Sequence, residues 1–263
     1  MEKIQLSDSI KIVTVSEAET KAVFDIEGLY KGYGLTIGNA LRRVLLSSLP
    51  GAAITKVKIK GVGHEFSTIP GILEDVVEIC VNLKKVRLQF AGESGFTEPE
   101  VLTLKAKKEG VVTAGDIEET GRVSIVNKDQ HIATVTQKGA ELEMELTIEK
   151  GLGYAPIEAL KTGALPVGVI QLDALFSPVT RVNMVNENMR VGDKTDFNRV
   201  RLEIETDGGI KPIVALREAL AILTDHFTKA LAQVGGAPAA SELEASAGET
   251  EEKKPKKKSK KKE

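Results

Sequence analysis

The residues that could carry out chemistry in this sequence do not follow the spacing of common catalytic motifs. Residues 191–197, VGDKTDF, contain a lysine and a threonine but lack the leading glycine that a phosphate-binding loop requires. Gly28, Gly32 and Gly34 do not fit the G-x-G-x-x-G pattern of dinucleotide-binding turns. We therefore expect neither type of nucleotide chemistry from these segments.

Metal-ligating and nucleophilic residues are equally scattered. His64, His131 and His226 are far apart in the sequence, and none lies in an H-E-x-x-H motif. The single cysteine, Cys80, can form neither an internal disulfide nor a cysteine-rich zinc site. The many acidic residues lie on alternating strand-like segments, where solvated side chains are the simplest interpretation. We predict no catalytic residue, no metal and no cofactor on this chain, which favours a binding or scaffold role over a small-molecule enzyme.

The composition is that of a globular protein with an unusual distribution of charge. The 263 residues suffice for one or two domains. No long apolar run or signal peptide is visible, so we expect a cytoplasmic protein with no membrane contact. The net charge is −2, yet the segment from Thr250 onwards holds eight lysines and three glutamates. The body is therefore mildly acidic and the tail strongly basic.

A first helix is predicted within residues 34–51, GLTIGNALRRVLLSSLPG. Thr36 or Asn39 can cap its start, and Pro50 with Gly51 ends it. At about 100° per residue, one broad apolar stripe faces the core. The members of this stripe are Ile37, Ala40, Leu41, Val44 and Leu45.

The other side of this helix carries a second apolar position between two arginines. Leu46 projects there between Arg42 and Arg43, close to Asn39. A helix that covers only one core needs no second apolar side, and arginine binds carboxylates through two parallel hydrogen bonds. We interpret this side as a protein interface. The alternative is a helix inserted deep in its own domain, with both arginine head groups reaching water.

Alternation of apolar and polar residues predicts an antiparallel sheet with one buried face and one solvent-exposed face. In residues 141–149, ELEMELTIE, every second side chain is apolar, as expected for a strand with one buried face. Residues 70–86 predict a second helix, with Ile72, Val76, Ile79 and Leu83 at helical spacing. Further strand-like segments are residues 11–15, 22–26, 56–62, 86–90, 101–106 and 199–205.

The final helix has the strongest local pattern. Pro212 suits its first turn, and Gly235 with Gly236 follows its end. Three heptads of apolar residues form a seam that favours a partner helix and hence a homodimer; the alternative is a long helix lying on its own sheet. The seam comprises Ile213, Leu216, Leu220, Leu223, Phe227, Ala230 and Val234.

Several motifs together resemble the N-terminal domain of bacterial RNA polymerase alpha subunits. They are GYGLTIGNALRRVLLSSLPGAAIT, GVGHEFSTIPGILEDVVEICVNLK (residues 61–84), GLGYAP (residues 151–156) and the long segment of residues 173–212, followed by the final helix. They occur in the family's order and cover about residues 5–235. The segment of residues 236–263 is read as a flexible linker with a disordered lysine-rich tail.

The resemblance implies an α+β fold in two parts. Residues 1–50 and 175–235 would form a dimerisation subdomain of antiparallel sheet plus two long helices, and residues 51–174 an inserted, mostly-β subdomain. The chain would be a homodimeric, non-catalytic scaffold that nucleates assembly of the RNA polymerase β and β′ subunits, acting in the cytoplasm with the nucleoid. A free homodimeric DNA-binding regulator with a basic C-terminal arm is the alternative, against which the acidic body counts.

The resemblance also implies a role for individual residues. The β subunit would be met by Asn39, Arg42, Arg43 and Leu46, and β′ by Glu78, Lys84, Arg190, Thr195 and Asp196. Dimerisation would use Ile37, Leu41 and Val44 together with Ile213, Leu216, Leu220, Leu223 and Phe227.

Departures from the family pattern concern three residues and the C-terminal region. Leu152 stands where arginine is usual, and Met184 and Asn186 where tyrosine and glutamate are usual. Family members continue into a DNA-binding C-terminal domain, and a lysine-rich tail stands there in this sequence. We expect that domain to be absent, and both a naturally short protein and a shortened one fit this. DNA contact without base readout is expected from Lys256, Lys257, Lys258, Lys260 and Lys261, with a merely solubilising tail as the alternative.

Overall fold

The structure, a computed structural model, describes residues 10–90, 98–160, 166–191 and 194–234. The predicted linker and lysine tail, with Lys256, Lys257, Lys258, Lys260 and Lys261, lie outside the described residues. The described ranges form antiparallel sheets and four α-helices, which confirms the predicted α+β class. Two of these helices are long.

Each predicted helix and strand-like segment overlaps an element of the structure, which also contains a short helix and several strands that were not predicted. The helices are α1 (Tyr33–Ser47), α2 (Val76–Leu83), α3 (Ile157–Leu160) and α4 (Pro212–Gln233). The strands are β1 (Lys11–Glu17), β2 (Lys21–Leu29), β3 (Pro50–Ile59), β4 (Leu88–Phe90), β5 (Glu100–Ala106), β6 (Gly110–Thr113), β7 (Ile117–Glu118), β8 (Val123–Ile125), β9 (His131–Val135), β10 (Leu142–Leu152), β11 (Tyr154–Ala155), β12 (Val169–Gln171), β13 (Ala174–Leu175), β14 (Val179–Val191) and β15 (Lys194–Thr206).

A four-stranded sheet joins the two ends of the described chain. Its order is β1-β2-β15-β14, and all its neighbouring strands are antiparallel. Leu202 in β15 pairs with Phe24 in β2 on one side and with Met184 in β14 on the other. Helix α1 packs on one face of this sheet, against β14 and β15. The sheet is therefore the platform that holds α1.

A five-stranded antiparallel sheet, in the order β12-β3-β10-β5-β7, lies at the centre of a second core. The alternation predicted for residues 141–149 is confirmed, because Leu142, Met144, Leu146 and Ile148 are all buried. On the opposite face the glutamates of β10 pair with lysines of β3. Lys58 Nζ lies 3.2 Å from Glu145 Oε2 and Lys56 Nζ 2.8 Å from Glu149 Oε1.

Helix α1 begins earlier than predicted, at Tyr33, so neither Thr36 nor Asn39 caps it. Gly32 precedes the helix with φ of 86°, a left-handed conformation that glycine adopts without steric cost. The Gly32 N–H donates to Asn198 Oδ1 at 2.8 Å, and this bond from the sheet replaces a local cap. The start of α1 is thus fixed by β15.

The core face of α1 also differs from the predicted stripe. Leu41 and Leu45 are fully buried as expected, whereas Ile37, Ala40 and Val44 are only half-buried. Two glycines take their place against the sheet: Gly34 and Gly38 are buried. The apolar pattern missed them because glycine has no side chain to bury.

Helix α2 is shorter than the predicted range of residues 70–86. Asp75 caps it by accepting a hydrogen bond from the Glu78 N–H at 2.7 Å, so the helix begins only at Val76. Gly71 has φ of 80°, which is incompatible with a helix over residues 70–75. Ile72 instead bridges to Val135 of β9. The predicted core positions Val76, Ile79 and Leu83 are all fully buried.

The chain divides after Leu220 into two compact units. In the first unit, Leu216 of α4 is 2% exposed. The described part of the second unit, residues 221–234, is the C-terminal part of α4 and its end, where Phe227, Leu231 and Val234 are 69%, 50% and 87% exposed. This boundary differs from the predicted one at residues 50 and 175, and the division into dimerisation and inserted subdomains stays a prediction.

Candidate functional site

The outward side of α1 presents two arginines to solvent. Asn39, Arg42 and Arg43 are exposed, and Leu46 is half-buried among them. In the described part of the chain, no carboxylate pairs with either guanidinium group. Exposed arginines fit a protein interface, and they also fit the alternative of an inserted helix with both head groups reaching water. Both arginines are available to bind carboxylates of another molecule.

Close packing against β14 holds α1 in place. The Asn186 side chain lies against Gly34, and the Met184 side chain lies against Gly38 together with Val200. A Cβ at either glycine would come closer to these side chains than real Cβ atoms do. Two of the departures from the family pattern, Met184 and Asn186, thus lie under α1. The sequence analysis missed this contact; its signal is a pair of glycines four residues apart on one helix face, which lets α1 lie close to the sheet.

The last turn of α1 is bonded to the chain around it. Ser47 Oγ donates to the Arg43 carbonyl oxygen at 2.8 Å, and Ser177 Oγ donates to the Leu46 carbonyl oxygen at 3.1 Å. The Leu46 carbonyl is one of those that the end of a helix leaves unpaired, and the Ser177 bond satisfies it. The backbone of Arg43 and Leu46 is therefore fixed, while the Arg43 side chain remains exposed.

The predicted residues on α2 lie at its two ends. Glu78 is exposed in the first turn, and Lys84 follows the last turn, where its Nζ lies 3.1 Å from Asp173 Oδ2. The hydrogen bonds from the Lys84 ammonium and the Ile157 N–H hold the pKa of Asp173 below its usual value. Lys84 is thus already paired within the chain, and a partner would have to share this ion pair.

The remaining predicted β′ residues lie around the turn between β14 and β15. Arg190, Thr195 and Asp196 are all exposed there. Asp196 Oδ2 lies 3.8 Å from the Nζ of Lys31, which is near the start of α1. The predicted set is therefore divided between α2, which packs on β9, and the end of the four-stranded sheet.

The predicted dimerisation residues fall into three groups by exposure. Leu41 and Leu216 are buried within the single chain and serve its own core. Phe227 is exposed, and half-buried residues lie between these extremes: Ile37, Val44, Ile213, Leu220 and Leu223. The exposed apolar surface of α4 is therefore concentrated after Leu223.

An ion pair on the other face of the four-stranded sheet corrects the expectation of solvated acidic residues. Asp25 is 4% exposed, and its two carboxylate oxygens accept from Arg201 Nε and Nη2 at 2.8 and 2.9 Å. These hydrogen bonds hold the pKa of Asp25 below its usual value, although burial opposes them. The pair joins β2 to β15 across most of the sequence.

A second buried carboxylate has a structural role. Glu74, 9% exposed, accepts from the Thr134 N–H at 2.6 Å and lies 2.8 Å from His131 Nε2. Burial raises the pKa of Glu74, but the hydrogen bonds from Thr134 and His131 outweigh it and lower the pKa. His64 and His226 are exposed and lie elsewhere. Within the described ranges no three metal-ligating side chains cluster, and no helix there is long and apolar enough to cross a membrane.

Comparisons with known proteins give one consistent result. Residues 57–177 match the family described as the RNA polymerase Rpb3/RpoA insert domain. The chain is 49% identical over 218 residues to the DNA-directed RNA polymerase subunit alpha of Symbiobacterium thermophilum, which covers 83% of this chain and 68% of that protein. The corresponding protein of Alkaliphilus oremlandii is 48% identical over 83% of this chain and 67% of its own length.

A third relative shows the same relationship. The DNA-directed RNA polymerase subunit alpha of Moorella thermoacetica is 51% identical over 204 residues, 78% of this chain and 64% of that protein. The chain thus spans about two thirds of the length of these relatives.

Proposed function

Because this chain belongs to the family of bacterial DNA-directed RNA polymerase alpha subunits, we propose that it forms a homodimer on which the β and β′ subunits assemble. The family is part of a nucleotidyltransferase complex, and the role proposed here is non-catalytic. The exposed side of α1 carries the proposal, because two unpaired arginines flank a half-buried leucine there.

Dimerisation is proposed to use the exposed seam of α4. Phe227 and Val234 are seven residues apart and are 69% and 87% exposed in the single chain. Apolar side chains this exposed gain free energy when a second helix covers them, about 25 cal/mol for each Å² removed from water. A second copy of α4 presents the same residues and can form the symmetric contact of a two-fold dimer.

The β subunit is proposed to bind the outward side of α1. Arg43 and Arg42 would donate to carboxylates of β, and Leu46 would pack in the apolar centre between them. Charged hydrogen bonds around an apolar contact provide both affinity and orientation. Asn39, one turn earlier on the same side, would add an uncharged hydrogen-bonding group.

The β′ subunit is proposed to contact Glu78, Lys84, Arg190, Thr195 and Asp196. All five are exposed, as an interface to a separate subunit requires. The pair of Lys84 and Asp173 offers both a cation and an anion to such a subunit. Two protomers of the dimer present this surface twice, so β and β′ need not compete for one protomer.

The lysine tail is proposed to contact DNA upstream of the promoter without reading its sequence. Lysine ammonium groups bind phosphates as point charges and lack the planar fork that recognises guanine. This activity would place the chain with RNA polymerase at the nucleoid, in the cytoplasm.

Purification of the tagged full-length chain from its own host tests the proposed function. We expect two copies to elute with one β and one β′ subunit, identified by mass spectrometry. A lone dimer that retards DNA in a gel would contradict the scaffold role and favour the free DNA-binding regulator.

A further inference from the structure

Three exposed apolar side chains lie beside the C-terminal end of α1, outside the residues assigned above. Leu152, Tyr154 and Leu175 are 59%, 60% and 48% exposed, and we refer to them as the Leu152 patch. Tyr154 and Leu175 are direct neighbours across the β11–β13 pair. The patch is thus a small apolar surface on a strand pair, with no function so far.

Backbone contacts join this patch to the last turn of α1. A Cβ at Gly153 would lie 3.7 Å from the Ser47 carbonyl oxygen, so the strand passes directly by the helix end. The Phe176 N–H donates to the Gly153 carbonyl oxygen at 2.7 Å, and the next residue, Ser177, holds the Leu46 carbonyl. The backbone of the Leu152 patch therefore lies directly beside the last turn of α1, which carries Leu46.

The segment that carries the patch is also bonded on its far side. Asp173, the residue before β13, accepts from the Ile157 N–H at 3.1 Å and lies 3.1 Å from Lys84 Nζ. The backbone that presents the exposed apolar side chains is therefore held from both sides, as a binding surface requires.

We propose that the Leu152 patch extends the α1 interface and binds an apolar segment of the RNA polymerase β subunit. This inference rests on the proposed function of Arg42, Arg43 and Leu46. The patch would supply apolar area next to the arginine rim, so the bound segment of β carries apolar side chains with a carboxylate at one end. A second copy of this chain is the less suitable occupant, because α4 already offers a larger apolar seam.

Single substitutions at the exposed positions test this proposal. In the full-length chain, Leu152→Ser and Leu175→Ser are each expected to weaken binding of purified β subunit about 10-fold, because each removes apolar area that β would cover. Val101→Ser is the matched control, since Val101 is 52% exposed on β5, which pairs with Leu142–Ile148 of β10 and does not neighbour the β11–β13 pair. Biolayer interferometry measures the affinities, and light scattering and thermal melting verify that dimer and fold are retained.

Arg43→Ala, measured alongside, separates this proposal from the one it rests on. If Arg43→Ala weakens binding and both leucine variants bind like the unaltered chain, the patch proposal fails and the α1 interface stands. If Arg43→Ala binds β like the unaltered chain, the proposed α1 interface and the patch proposal both fail. Loss of the dimer in Leu152→Ser would make a second copy of this chain the occupant of the patch. If Val101→Ser weakened β binding equally, the effect would not be specific to the patch, and the proposal would fail.

Discussion

Met184 on β14 occupies the space that a side chain at position 38 of α1 would need. Its side chain and Val200 Cγ1 surround the Gly38 Cα, and Val200 Cγ1 would lie 3.2 Å from an added Cβ. At this point of the helix, the distance between α1 and the sheet is therefore set by one glycine and one flexible thioether. Since the arginines of the proposed β interface lie on the opposite side of α1, this pair also determines how far they project.

Gly38→Ala is expected to destabilise the fold by about 1–3 kcal/mol, because the new methyl group forces Met184 or the helix to move. The midpoint of urea unfolding measures this. Adding Met184→Ala frees the space, so the double variant should lose less than the sum of the two single variants. Gly63→Ala serves as control, because nothing lies within 4 Å of a Cβ there. Strict additivity would show that the two residues do not compete for space.

Asp25→Asn is expected to destabilise the protein at pH 7 by about 1–2 kcal/mol, a moderate value because Arg201 keeps partial access to water. The pKa of Asp25 is lower folded than its ordinary value of 3.8. The ion pair therefore contributes fully above that value, and its contribution is lost as the pH falls through the folded pKa. Thermal melting of both proteins should show a constant difference near neutrality that shrinks in acid. A difference that grows in acid would contradict this assignment.

Phe227→Glu is expected to give a folded monomer. Phe227 is 69% exposed in the single chain, so a charge there costs nothing until a partner helix buries it. Leu220→Glu should act in the same direction but also strain the protomer, since Leu220 is half-buried. Light scattering measures the mass, with Thr228→Glu, next to the seam, as the control. A Phe227→Glu dimer of undiminished stability would exclude the seam from the interface.

Arg43→Ala is expected to leave the homodimer folded while weakening capture of the β subunit. Removing one half of a desolvated, hydrogen-bonded charge pair costs about 2–5 kcal/mol, or roughly 30- to 5000-fold in affinity. Arg42→Ala provides the comparison within the same turn and should cost less if its side chain is peripheral. Co-elution of purified β with each variant measures capture. Unfolding of the Arg43→Ala dimer would instead make this arginine structural.

Deletion of residues 250–263 is expected to weaken promoter binding by the assembled polymerase and to flatten its salt dependence. If all eight lysines contacted phosphates, log K would fall with log salt at a slope of about −7. Glu251, Glu252 and Glu263 compete for the lysines, so a smaller slope is expected. Binding to several promoters at low and moderate salt measures both quantities. An unchanged slope would leave only a solubilising role, and a loss at one upstream sequence alone would indicate base readout.

Periodic patterns predicted the elements whose burial follows a simple rule. The alternation in β10 and the heptads of α4 correspond to a real strand and a real helix, because apolar residues recur on one face of α4 and on one face of β10 from Leu142 to Ile148. The strand β14 was not predicted from periodicity. Its face under α1 contains Asn186 and Asn188 where apolar residues would mark a core, so no alternation is visible.

Only some residues of the candidate site could be predicted from the sequence. Helical spacing placed Arg42, Arg43 and Leu46 on one outward side, since the angle per residue is fixed. Contacts between distant segments could not be found in this way, and the Asp25–Arg201 pair and the Leu152 patch both depend on them. The patch is formed by residues from β10, β11 and β13, which no local pattern connects.

The two sheets differ in when their strands become available during synthesis. The five-stranded sheet uses only strands between residues 50 and 171, whereas β2 must wait for β15 to complete the four-stranded sheet. Asp25 and Arg201 are 176 residues apart, which a ribosome takes roughly 10–35 s to add. The growing chain can therefore fold its central part first, and the platform of α1 closes last. The sheet beneath the proposed β-binding face is thus complete only when nearly the whole described chain has been made.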